Sequence, residues 1–184
     1  MLPRSLVALI LSSSVGAAQF ANPAAPKSPK ELRAPKGQIL LLRLHAKGEQ
    51  VYVCQVASDG ARAPSWKFKA PKADLFGESA ERVGRHFAGP TWEANDGSQV
   101  VGKLVVSVPS QDVDSIPWLL LAEVSRSEKG MFSRVESIQR LDTKGGTAPK
   151  TSCTLKEETG VAYEAEYYLW PADGRRNQLP LRAL

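Results

Sequence analysis

Two stretches of the chain alternate apolar and polar residues with a period of two, and no stretch holds the 3.6-residue period of an amphipathic helix for three turns. In Ser65–Ala70, Trp66, Phe68 and Ala70 fall on one face and Lys67 and Lys69 on the other. In Val161–Trp170, Val161, Tyr163, Ala165, Tyr167 and Leu169 oppose Glu164 and Glu166. Shorter apolar runs lie between them at Gln38–His45, Gln50–Ala57, Gln99–Val108 and Trp118–Ala122, separated by turn residues. This pattern predicts an all-β fold, a single-domain antiparallel β-sandwich or flattened β-barrel with few or short helices.

At the level of single elements, Lys47-Gly48-Glu49 reads as the turn of a hairpin joining the first two runs, and Ser58-Asp59-Gly60 as a second turn. Pro71 is expected to end the Trp66 strand, with Lys72–Phe76 a short helical or irregular connection. Pro109–Pro117 reads as a loop. Met131–Thr143 is ambiguous, because Phe132, Val135, Ile138 and Leu141 are spaced almost helically while Gly130 and Gly145-Gly146 flank them; it is assigned as strand.

The ends are different in kind. Residues 1–18 carry Arg4, the apolar run Leu6–Leu11 and the small residues Gly16-Ala17-Ala18, the layout of a secretory signal; Ser12–Ser14 cut the run short of the about 20 apolar residues that a spanning helix needs. Residues 19–36 are rich in Pro and Ala and read as a linker or loosely docked arm. Residues 37–170 form the expected domain and 171–184 a polar tail. A secretory route, to the extracellular space or a bacterial periplasm, makes the two cysteines, Cys54 and Cys153, a disulfide pair. The net charge of +5 is scattered singly, without a polybasic run interleaved with aromatics, so nucleic acid is not an expected partner. Weak attraction to an acidic envelope polymer is compatible with it.

The most position-specific stretch is His86–Gly102. His86 is the obvious candidate general base, with Glu93 or Asp96 as its carboxylate. His45 is the only other histidine, so a three-histidine zinc site is impossible, and no ligand-spaced motif indicates a metal. Ser98 lacks the Gly-x-Ser-x-Gly context of an exposed nucleophile, and Asn95-Asp96-Gly97 reads as a β-turn. Of the four tryptophans, Trp66 and Trp118 sit in core patterns. Trp92, read as part of a polar loop, and Trp170, on the glutamate-bearing face of its strand, are the candidates for an exposed sugar-stacking platform. Arg140 is expected to pair with Asp96, Glu93 or Asp142, or, in a cleft, to grip a carboxylate or phosphate.

The set Gly37–Arg43, Ala70-Pro71-x-Ala73-Asp74-Leu75, His86–Gly102, Ile116–Leu121, Ile138-Gln139-Arg140, Thr143-x-Gly145-Gly146, Ala148-Pro149, Cys153 and Tyr163-x-Ala165-x-Tyr167-Tyr168 resembles an uncharacterised family of secreted proteins, domain of unknown function 3455. The resemblance runs from about Gly37 to Trp170 and implies secretion but no activity. Asp142 departs from it, standing where that family usually has Asn. Dehydrogenase-like names attached to some members find no support here: Gly145-Gly146 leads into Thr147-Ala148-Pro149 with no helix to receive a pyrophosphate, so no cofactor is expected.

These readings converge on a secreted, non-catalytic binding domain whose ligand, a glycan or envelope polymer among the candidates, is met by Trp92, His86, Asp96, Ser98, Arg140 and Trp170. The alternatives are a small hydrolase-like or metal-dependent enzyme using His86 with Glu93 or Asp96, and a structural envelope protein.

Overall fold

The computed structural model describes residues 25–34, 38–56 and 63–171. Eight antiparallel strands follow one another around a closed barrel: β1 (Leu42–Val56), β2 (Pro64–Phe76), β3 (Arg82–Phe87), β4 (Thr91–Ala94), β5 (Gln99–Val108), β6 (Trp118–Arg126), β7 (Val135–Gly145) and β8 (Glu158–Pro171). Each strand pairs with its sequence neighbours, and β8 returns to β1 along the register Leu42↔Leu169 to Val53↔Glu158. The fold is therefore all-β, and of the two expected architectures the chain adopts the barrel, in which every strand has a neighbour on each side over at least part of its length.

Alternation decides which side chains fill the interior. Leu44 and Ala46 of β1, Ala73 and Leu75 of β2, Trp92 and Ala94 of β4, Val100 of β5, Leu121 of β6, Ile138 of β7, and Tyr163, Ala165, Tyr167 and Leu169 of β8 form one buried cluster, closed by Ile116, Phe132 and Val135. An eight-stranded barrel is just wide enough for side chains to fill it or to hold one small ligand.

A second cluster lies on the outside. Leu32, Leu40, Trp118, Leu141, Tyr168 and Trp170 pack with Val106, Val108 and Leu120 on the outer face of β5–β8. Leu32, in a 3₁₀ turn at Lys30–Leu32, is fully buried there. Gln139 fixes the arm by donating from Nε2 to the Leu32 carbonyl while its Oε1 accepts Trp170 Nε1–H at 2.8 Å. Residues 25–34 are thus a docked arm, and their one bulky apolar residue is what docks them.

Three local expectations are corrected. Lys47-Gly48-Glu49 is not a turn but the middle of β1; a Cβ at Gly48 would come within 2.2 Å of the Lys72 carbonyl oxygen, so the glycine permits close strand approach. Pro71 does not end β2, which runs on to Phe76 through the stretch expected to be a connection. β3 pairs only with Ala73–Phe76, so at Pro71 the second edge of β2 has no neighbour and the missing N–H costs no ladder bond. Phe68 was assigned to a core face but is 55 % exposed, because this half of β2 has only β1 beside it. The expected strands at Gln99–Val108 and Val161–Trp170 stand, as does the strand assignment within Met131–Thr143. Asp142 has a φ of 49° at the irregularity between Leu141 and Lys144. Asn and Asp both tolerate that left-handed conformation, which accounts for either residue at this position.

Cys54 and Cys153 form the expected disulfide, with Cα atoms 5.9 Å apart across a sequence separation of 99. Among the described residues no helix is long and apolar enough to cross a membrane. The expected signal at 1–18, the Ser58–Gly60 turn and the tail beyond Pro171 lie outside the described residues.

Candidate functional site

The connections of an up-and-down barrel fall at two ends. One end carries the connections 88–90, 109–117 and 146–157. Here β3 and β4 form a tight hairpin in which His86 lies opposite Trp92. Gly89 turns it with φ 95° and a trans peptide to Pro90, and Thr91 Oγ1 donates to the Ala88 carbonyl at 3.1 Å. Both partners point inward and stack, ring centroids 4.2 Å apart, and Tyr167 meets His86 at 5.3 Å and Trp92 at 5.4 Å, edge to face in both cases.

His86 is 3 % exposed and its Nδ1 lies 2.9 Å from the Thr91 carbonyl oxygen. A carbonyl can only accept, so Nδ1 carries the proton and the ring is the neutral Nδ1–H tautomer. Burial pushes its pKa down to about 3, against a smaller opposing effect of the Thr91 carbonyl. With Nδ1–H on a backbone carbonyl and its ring against Trp92, His86 orders the hairpin.

Around this stack the interior holds a cluster of buried polar side chains. Gln50 is 2 % exposed, Tyr163 2 % and Tyr167 1 %, and they interact with one another and with Arg140: Tyr163 with Tyr167 and Gln50, Tyr167 with Arg140. Tyr52 is satisfied, donating to the Gly146 carbonyl at 2.6 Å. Burial raises the pKa of Tyr163 and Tyr167 and keeps both phenols protonated. The Arg140 guanidinium opposes the shift at both tyrosines, placing the cation within electrostatic reach of them.

Arg140 lies opposite Tyr167 in the β7–β8 register and is only partly buried. Its Nε and Nη2 both donate to the Pro117 carbonyl, at 3.1 and 2.8 Å. No carboxylate among the described residues pairs with it, so the expected ion pair with Asp96, Glu93 or Asp142 does not form. Loop 109–117, which supplies that carbonyl, folds over this end of the barrel. Ile116 N–H donates to Gly145 O at 3.0 Å, Thr143 Oγ1 to Ile116 O at 2.6 Å, and Gly145 N–H to Ser115 Oγ at 2.8 Å.

A model of the family described as "Protein of unknown function (DUF3455)" matches residues 35–171, most of the chain. The chain belongs to that family. No curated protein and no solved structure matches it. What the DUF3455 domain offers chemically is therefore read from its own geometry.

In this DUF3455 chain the expected site residues divide. His86, Trp92 and Arg140 share the barrel interior; Glu93, Asp96, Ser98 and Trp170 do not join them. Trp92 is 1 % exposed and sits in a strand, not a loop, so it is no surface platform. Trp170 is 2 % exposed because the Leu32 arm covers it, whereas Glu164 and Glu166 on the same face are half-buried and paired with Lys47, Arg43 and His45. Glu93, one residue after inward Trp92, points out to Arg85 at 2.6 Å and to Gln99. Asp96 and Ser98 build the expected turn: Gly97 has φ 81°, Gly97 N–H bonds Ala94 O, and Asp96 Oδ1 accepts both the backbone N–H and the Oγ–H of Ser98. These bonds hold the Asp96 carboxyl below its ordinary pKa. Asp96 Oδ2 and Ser98 Oγ then accept the N–H groups of Met131 and Phe132, tying this turn to the β6–β7 connection. Among the described residues no group of three or more His, Cys, Asp or Glu comes together.

Gln50, Tyr163 and Tyr167 were not singled out from the sequence as ligand contacts. The signal was present in the alternation of β8, where Tyr occupies two positions on the inward face of a strand otherwise filled with aliphatic residues.

Proposed function

We propose that this chain is a secreted, non-catalytic binding domain that takes a small ligand into one end of the barrel. The observation that carries this reading is the buried polar cluster of Gln50, Tyr163 and Tyr167, which reaches Arg140 inside a single closed barrel. Polar side chains gathered in an otherwise apolar interior are the kind of lining that orients a small ligand. Secretion is supported by the signal-like residues 1–18 and by the Cys54–Cys153 bridge.

Catalysis draws no support from His86, whose Nδ1 is committed to a backbone carbonyl while Glu93 and Asp96 are engaged elsewhere. A surface glycan reader draws none from Trp92 or Trp170, both buried. The test is native mass spectrometry of the protein purified from a secretory host, with a high-resolution crystal structure of the same material and a glycan array alongside. The expected result is a small-molecule adduct with density against Gln50, Tyr163 and Tyr167. Ordered waters alone at those groups, or a glycan signal lost with surface variants and not with Tyr163→Phe, would overturn the proposal.

A further inference from the structure

We infer that the open edge of β2 over residues 64–70 is a docking site for an acidic peptide in extended conformation, which adds to the barrel as a further strand. The inference is independent of the interior-binding reading.

The β3–β4 hairpin is too short to close the barrel over its whole height. β3 pairs with β2 only at 73–76, and β4 pairs with β5 only at 99–101. Beyond the 88–90 turn, residues 64–70 of β2 have only β1 beside them and residues 103–108 of β5 only β6; no other backbone hydrogen bond among the described residues reaches either segment. The side chains report the same lateral gap. Phe68 stands opposite buried Tyr52 and Leu104 opposite buried Leu121, so both point to the interior, yet they are 55 % and 53 % exposed.

The β2 rim carries what strand addition uses. An open edge offers a row of N–H and C=O groups, and the alternate side chains then decide which strand is accepted. Trp66 and Phe68 face inward, opposite Cys54 and Tyr52, and Lys67 faces outward opposite Val53. Lys69, the extra residue at the irregularity between Val51 and Tyr52, reaches outward to Glu158 at 2.5 Å. Lys67 has no ion-pair partner among the described residues. A groove of about 490 Å³ continues this edge, lined by Lys69, Ala70, Pro71 and Lys72 and by the hairpin tip at Phe87 and Ala88, with Glu49 and Glu158 on its β1–β8 side.

Charge selects the occupant. Two copies of this edge laid side by side would set lysine against lysine, and lysine on an edge strand is a means of preventing such pairing. A strand with acidic side chains across from Lys67 and Lys69 and apolar ones across from Trp66 and Phe68 meets the opposite condition on both faces. It forms ion pairs outside and covers the open Phe68 ring inside. Pro64 and Pro71, neither of which has an N–H to donate, bracket the segment and limit the length of strand that can be added.

The test titrates the purified chain with a short peptide of alternating Glu and Val, with its Lys and Val counterpart, and with the Glu and Val peptide N-methylated at every residue, which keeps the charge and removes the N–H groups of a ladder. NMR gives affinity from amide shifts and, through hydrogen exchange, the amides that become protected. The expected result is that the Glu and Val peptide binds saturably, about tenfold or more tighter than the Lys and Val peptide. It should slow exchange at the edge-facing amides within 65–70, weaken as salt is raised and lose binding when N-methylated. Lys67→Glu/Lys69→Glu should reverse the preference between the two peptides, and Phe68→Ser should weaken binding while leaving the barrel folded, since that ring is already more than half exposed. Binding indifferent to N-methylation or to the reversed charges, protection confined to 103–108, or no protection within 65–70 with any peptide would each overturn the assignment. Protection of 65–70 that rises with protein concentration in the absence of peptide would also overturn it, in favour of a second copy of this chain.

Discussion

The imidazole of His86 lies flat on the indole of Trp92, 15° from parallel, directly across the β3–β4 ladder. The stack favours an uncharged ring, because burial penalises the protonated form and the Arg140 charge adds to that penalty. His86 has a folded-state pKa near 3 against about 6.5 in the unfolded chain. Its neutral form therefore supports the fold fully above pH ~6.5, and that support drains away as pH falls toward 3, at up to about 1.4 kcal/mol per pH unit. Melting temperatures of the native chain and of His86→Phe should diverge in slope between pH 7 and 4, the variant falling less steeply. Parallel curves would remove His86 from the account of acid sensitivity.

Ser98 joins two connections at the other end of the barrel, donating to Asp96 and accepting from Phe132 N–H. Ser98→Ala leaves that buried N–H without its acceptor and should destabilise by about 1–3 kcal/mol. Denaturant unfolding measures the loss, and hydrogen exchange should show it concentrated at Phe132.

Gln139 spends both ends of its amide inside the outer cluster, on Leu32 and Trp170. Gln139→Ala orphans both partners and should also cost about 1–3 kcal/mol, whereas Leu32→Ala, which empties a fully buried site, should cost about 2–5 kcal/mol. In either variant limited proteolysis should cut within 25–34 while the barrel stays intact. Simultaneous loss of barrel and arm would make the arm part of the core cooperative unit.

Much of the fold was legible because β-strands advertise themselves by alternation. Val161–Trp170 and Gln99–Val108 each had a face to read, and a β-rich chain with two cysteines in an oxidising route has one way to pair them. The residues that misled did so for a shared reason: Gly48 and Pro71 look like punctuation locally, but a barrel uses glycine where strands press together and tolerates proline where an edge has no neighbour. Trp92 and Trp170 were misplaced because neighbouring polarity says nothing about cover arriving from elsewhere in the chain. For Trp170 that cover is an arm more than a hundred residues upstream; for Trp92 it is the opposite wall of the barrel. Arg140 was half legible, as a guanidinium with several candidate acids. Its use of the Pro117 carbonyl depends on where a loop comes to rest.

Reduction of Cys54–Cys153 releases a constraint on a loop of about 100 residues, for which the chain-entropy model gives an upper estimate of about 4–5 kcal/mol. The Cys54→Ser/Cys153→Ser chain should unfold at markedly lower denaturant concentration than the oxidised protein. Reductant should shift the native chain to the same midpoint and leave the double variant unmoved.

The position of that bridge also bears on how the chain reaches its native state. Seven of the eight strand pairings join sequence neighbours and can form as successive hairpins, but β1 and β8 must find each other across nearly the whole domain. Such long-range closure is the slow part of β-barrel folding. Cys54 lies in β1 and Cys153 just ahead of β8, so oxidation before the sheet is complete tethers the two strands and turns the slowest search into a local one. The order of events in the secretory compartment, thiol pairing before or after sheet closure, then sets the refolding rate; the oxidised chain should refold several-fold faster than the Cys54→Ser/Cys153→Ser chain at matched stability.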